Sequence, residues 1–207
     1  SRVFAARTCM MAGVGLTGVF LWYLVRFWVY GKAVVLTSAP LTIPAGFLIA
    51  SMAVATLIGA ALASWAAGPI SERIEEKNIP VARVVAGACL LYAIGLALAW
   101  GLGVWSTGTA RENGMLLFAL ISGFAFGIYD SLGLELVMDS LPDPRRAGHD
   151  LGIYALANSA GLALAAIIGA LLVNAFEHSF GYYLLFPSAI VMVLLAGIVT
   201  LTTKSAE

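Results

Sequence analysis

Apolar residues run in six long blocks along this chain, and short polar stretches separate them. The blocks fall at about 9–30, 42–67, 80–104, 114–140, 147–175 and 182–203. A helix needs roughly 20 apolar residues to cross the hydrocarbon core of a bilayer, and every block is that long. Open strands leave backbone groups unsatisfied in lipid, so helices are the expected element. The pattern predicts an all-α membrane protein whose residues 1–207 form a single six-helix transmembrane bundle. Prolines punctuate it in the expected places. Pro40 and Pro44 flank the start of the second block, and Pro80 opens the third. Pro142 and Pro144 separate the fourth from the fifth, and Pro187 lies near the start of the sixth, where a missing N–H costs little.

Composition sharpens this picture. The 207 residues are 61% hydrophobic and 11% charged, and the mean hydropathy is +0.98. A water-exposed domain of this size could not cover its surface with so few charges. Six spans use about 150 to 180 residues, leaving no room for a soluble catalytic domain. Eleven basic residues balance eleven acidic ones, so nucleic acid is not an expected partner. Cys9 and Cys89 both sit in apolar blocks and read as small buried hydrophobes. No short apolar leader with a cleavage site precedes the first block, which argues against a signal peptide. An opening Ser1 points to a processed or truncated chain.

Basic residues set an expected orientation. Arg2 and Arg7 precede the first block, Arg73, Lys77 and Arg83 surround the second connection, Arg145 and Arg146 lie in the fourth, and Lys204 ends the chain. Lys32 and Arg111 are on the other side, with Arg26 close by. The positive-inside rule then places both termini in the cytoplasm. Trp28, Trp100, Trp105, Tyr182 and Tyr183 fall where an outer aromatic belt is expected. Gly123 and Gly127 form a GxxxG, and Gly161, Ala165 and Gly169 repeat the spacing. Such stripes let helix backbones approach, here as ordinary bundle packing rather than a dedicated dimer seam. No internal repeat stands out at the residue level, so any three-plus-three symmetry is hidden.

Two segments carry motif information. The first is Gly68-Pro69-Ile70-Ser71-Glu72-Arg73-Ile74-Glu75-Glu76-Lys77 at the end of the second block. The second is Asp139-Ser140-Leu141-Pro142-Asp143, then Arg145-Arg146, then Ala147-Gly148-His149-Asp150-Leu151-Gly152, with Asn158 beyond. Together they resemble the loop signatures of the major facilitator superfamily, and most nearly its bacterial sugar–cation symporter branch. Glu72 stands at the usual aspartate and Arg73 matches, whereas Glu75 replaces a glycine. The order of the segments resembles the C-terminal six-helix half of such a transporter. That resemblance implies a cytoplasmic gate formed by Gly68, Glu72, Arg73, Asp139, Asp143, Arg145 and Arg146. It also implies a second six-helix half as partner: an N-terminal segment, a separate subunit or a second copy.

Polar residues inside the blocks are the candidate site. A charge near mid-membrane costs at least about 2.5–3.5 kcal/mol on insertion scales and normally faces a cavity or a partner. Asp130 and Glu135 lie in the cytoplasmic half of the fourth block, about 140° apart on a helix. Asp130, the deeper, is a candidate for proton or cation coupling, or else pairs with a cation or hydroxyl of a neighbouring helix or reaches the cytoplasmic vestibule. Glu135 reads as gate-lining. Arg26, beside Trp22 and Tyr23, either binds a substrate or snorkels to the interface. Asn158 sits about 16 Å into the fifth helix, with Tyr154 one turn earlier on the same face. An amide and a phenol suit a hydroxyl-bearing solute and equally suit interhelical hydrogen bonds. His149 and His178 read as loop residues.

Patterns for metalloprotease, serine hydrolase, nucleotide-binding loop and paired cysteines are absent, so enzyme activity, metals and cofactors are not expected. The expected function is movement of a small polar solute, a sugar among the candidates, by alternating access, with proton or cation coupling. Arg26, Tyr23, Tyr154 and Asn158 are the expected substrate contacts. The alternative is a structural or assembly subunit that uses a transporter-derived bundle without transport. A channel is less favoured, because no block carries a filter pattern.

Overall fold

The computed structural model describes residues 2–30, 43–105, 109–139, 147–176 and 178–202. They form α1 (Arg2–Gly18), α2 (Leu21–Tyr23), a π-helix (Leu24–Val29), α3 (Ile43–Glu76), α4 (Val81–Trp105), α5 (Thr109–Asp139), α6 (Ala147–Ala175) and α7 (His178–Leu201). No strand occurs among the described residues. Six helical segments are long and apolar enough to cross a membrane, with α1, α2 and the π-helix together making the first. The chain is a multi-pass, all-α membrane protein.

Several boundaries differ from the apolar blocks. The first helix starts at Arg2 rather than near residue 9, so Arg2 and Arg7 belong to it. The expected second connection is helical through Glu76, with Pro69 inside the helix. Glu, Arg and Lys are good helix formers, so the end of the apolar run does not end the helix. Asn78 ends it instead. Its φ of 51° is left-handed, Asn78 N donates to the Glu75 carbonyl, and Ile79 N donates to that of Ile74. This is a Schellman cap with asparagine in the position usually held by glycine. Pro80 follows directly. At the other end of the chain, Pro187 falls inside α7, which starts at His178.

Packing follows a repeated scheme. The α3 helix packs on α5 as α6 packs on α1, and α4 packs on α5 as α7 packs on α1. The α4–α7 contact maps onto itself. Exchanging the first three spans for the last three thus preserves these contacts; only α6–α7 lacks a counterpart of similar extent. Three crossings per triplet place the second triplet in inverted orientation, the arrangement of inverted-repeat bundles.

The small-residue stripes lie in the two equivalent seams. A methyl group added at Gly123 would overlap the Thr56 carbonyl of α3. One added at Gly161 would sit 2.7 Å from the Thr8 carbonyl of α1. Overpacking a tight contact costs about 1–3 kcal/mol. Gly123→Ala is therefore expected to lower the thermal midpoint in detergent. Gly87→Ala, where an added methyl meets open space, should hold or raise it. Equal behaviour of the two variants would show that the α3–α5 seam has slack.

The expected aromatic belt is only partly at the surface. Trp100 and Trp105 are exposed, but Trp28 and Tyr182 are buried. Trp28 packs edge-on against Tyr183 with centroids 4.0 Å apart. Arg111 Nη1 donates to the Trp28 carbonyl at 2.9 Å. Tyr30, just beyond the first span, has its phenol pKa pushed up to about 12, mainly by burial and then by its hydrogen bond with Glu112. It stays neutral throughout the ordinary pH range.

Candidate functional site

An arginine within the bundle organises the polar residues of three helices. Arg7 of α1 is only 5% exposed. Its Nε donates to Asn158 Oδ1 of α6 at 2.7 Å. Its Nη2 lies 2.7 Å from Asp130 Oδ1 of α5. The guanidinium carbon is 5.0 Å from the Tyr154 ring centre, 5.5 Å from that of Tyr129 and 5.7 Å from that of Phe126. These distances are within cation–π range. An isolated charge here would be costly; an anion, an amide oxygen and three ring faces offset the lost hydration.

Helix register explains why these groups meet. Tyr154 and Asn158 are four residues apart and share one face of α6. Tyr129 and Asp130 follow the Gly123–Gly127 stripe on α5. The two sides of the ion pair differ in surroundings: the Arg7 side chain is 6% exposed and that of Asp130 is 54% exposed. The pair thus runs from a buried cation to a half-open carboxylate. Beside it is a recess lined by Val3, Ala6, Val85, Tyr129, Gly133, Tyr154 and Thr200, with room for about one water.

Asp130 is paired with a cation from a neighbouring helix, and its side chain is half exposed. The identity of that cation departs from the sequence pattern, which sets Arg7 before the first span and makes Arg26 the base within it. Arg26 lies nineteen positions beyond Arg7, roughly 28 Å of helix. Arg26 instead lies over the Phe27 ring at 5.8 Å. Tyr23 stacks on Phe27 and on Tyr182. The four expected substrate contacts are therefore split. Tyr154 and Asn158 join Arg7, whereas Arg26 and Tyr23 join an aromatic stack near the opposite end of the first span.

Gly68, Glu72 and Arg73 lie exposed on the last turns of α3 rather than in a loop. Glu72 and Arg73 form no ion pair among the described residues. Asp143, Arg145 and Arg146 lie outside the described residues. Asp139 ends α5 and Glu135 is within it, but their side chains are outside the described set, as are those of His149 and His178. Cys9 and Cys89 are free thiols, the second of them buried. Among the described residues no three His, Cys, Asp or Glu side chains gather where a metal could bind.

One signal in the sequence points to Arg7. Val3, Phe4, Ala5 and Ala6 precede it, so the apolar character does not break there and the first helix can start earlier. Comparison with family models, with curated proteins and with solved structures finds no match.

Proposed function

We propose that the chain is one six-helix half of a secondary transporter that moves a small polar solute by alternating access. The Arg7–Asp130–Asn158 network carries this proposal. It links the first triplet of spans to the second, and it holds ionisable groups within the span region, where they usually mark a solute or proton path. The exposed side of Asp130 gives that path an opening. The inverted three-plus-three packing is the second support, because transporters with such repeats bind solute between bundles that rock against each other. The motif resemblance adds the major facilitator superfamily as the proposed lineage, with a bacterial inner membrane and cytoplasmic termini. One bundle supplies half of a cavity, so a second six-span bundle is the proposed partner, within lipid.

A structural subunit is the second reading, favoured by one observation. Arg7 is already paired with protein groups, as a scaffold requires. The half-open carboxylate fits a solute path in a transporter and an intersubunit contact in a scaffold. Native mass spectrometry after gentle extraction from the membrane discriminates the two. A companion bundle of six more spans, in the same polypeptide or a separate one, is the expected result. Recovery only within a large assembly of unrelated subunits would overturn the transporter proposal.

A further inference from the structure

Arg26 is the second arginine within the first span, and its setting differs from that of Arg7. It lies in the π-helix, where Leu24, Val25, Trp28 and Val29 are buried while Arg26 and Phe27 are half-buried. Among the described residues its guanidinium has no ion pair and no hydrogen bond. Its guanidinium carbon lies 5.8 Å from the Phe27 ring centre. That ring stacks on Tyr23 and on Tyr182 of α7, and Tyr23 is 45% exposed. A guanidinium carries five N–H donors, and a charge among apolar groups is costly without an acceptor. The acceptor therefore has to come from outside the described bundle.

Neighbouring helices fix the depth of Arg26. Trp28, two positions further on, packs against Gly103 of α4, where an added methyl group would overlap the indole. The Trp28 carbonyl accepts from Arg111, near the start of α5. Gly103 is two residues from the end of α4 at Trp105, whose side chain is 89% exposed. Trp28 is thus level with the ends of α4 and α5, and Arg26 lies within about one helical turn of that level. Tryptophan and tyrosine at span ends sit among lipid headgroups, and an arginine side chain is long enough to reach them. The described charged residues at this end are Arg26, Arg111 and Glu112, two cations and one anion.

We infer that Arg26 binds the phosphate of an anionic phospholipid at the Tyr30 end of the first span. The planar guanidinium fork matches two phosphate oxygens. The Phe27 ring lies beside the guanidinium, and the exposed Tyr23 adds an amphipathic ring at the same level. One anionic headgroup cancels the excess positive charge of this end. A zwitterionic headgroup offers the same phosphate with a cation of its own and leaves that excess in place. The site is separate from the Arg7–Asp130 network and goes beyond the transport proposal, on which it does not rest.

Photo-crosslinking of the full chain in bicelles tests the inference. The probe is phosphatidylglycerol with a photoreactive group in its headgroup, and adducts are mapped by peptide mass. Adducts are expected on residues 21–30, about fivefold fewer of them in Arg26→Gln. Adducts near Arg2, at the opposite end of the first span, should be unchanged in that variant. Unlabelled phosphatidylglycerol should displace the wild-type adducts about fivefold more effectively than phosphatidylcholine or diacylglycerol, a reading that needs no variant. Millimolar inorganic phosphate should leave them in place. Equal labelling of residues 21–30 in wild type and Arg26→Gln, or equal competition by the three lipids, would overturn the inference. Displacement by inorganic phosphate would also overturn it, by showing a site for a free anion rather than a lipid.

Discussion

In a complete assembly reconstituted into vesicles, Asp130→Asn is expected to reduce gradient-driven accumulation of solute to background while leaving solute exchange measurable. An asparagine keeps the size and hydrogen-bonding capacity of a protonated aspartate but cannot release a proton. If Asp130 is the coupling group of the proposed transporter, its coupling step is then frozen in one state while solute can still enter and leave. Accumulation and counterflow, measured on the same vesicles, separate these two capacities. An Asp130→Asn variant that still concentrates solute under an imposed pH gradient would remove Asp130 from the mechanism. Loss of counterflow as well would mean that the carboxylate is needed for the rocking motion itself.

The second large effect is on stability, and it is asymmetric. Removing one partner of a buried ion pair typically costs about 3–5 kcal/mol, because the other charge is stranded. Asp130 is half exposed, so the pair is only partly buried, and about 2 kcal/mol is a fairer figure for Asp130→Ala. Arg7→Met strands the more exposed charge and keeps most of the side-chain volume, so it should cost less. The double variant leaves no stranded charge and is expected to recover most of the Asp130→Ala loss. A double-mutant cycle of unfolding free energies in mixed micelles measures this directly. Additive losses, with no recovery in the double variant, would show that the two side chains act independently.

The six spans are legible in the order of apolar blocks, because lipid imposes a length and a composition on any helix that crosses it. Asp130, Tyr154 and Asn158 are legible for a related reason: a polar side chain in an apolar block needs a partner or water. Arg7 is not. Its partners lie 123 and 151 positions away, and near a chain end an arginine looks like an ordinary interfacial anchor. Only the packing of α1 against α6, with α5 close by, turns it inward. The helical continuation through Glu76 escapes a hydropathy reading, which reports lipid contact, whereas helix formation also persists in residues of good propensity. The paired packing of the triplets is invisible in the residues, since it resides in which helices touch.

The two arginines near the starts of α1 and α5 have a mechanical consequence. The first span is interrupted at Val19 and Phe20, where a turn separates α1 from α2. On one side of that interruption Arg7 is tied to Asp130, and on the other the Trp28 carbonyl is tied to Arg111. Both ties end on α5, which runs unbroken from Thr109 to Asp139. Helix α5 thus acts as a splint across a fracture. Bending of the first span at Val19–Phe20 must slacken one of two fastenings, and one of them is the ion pair of Asp130.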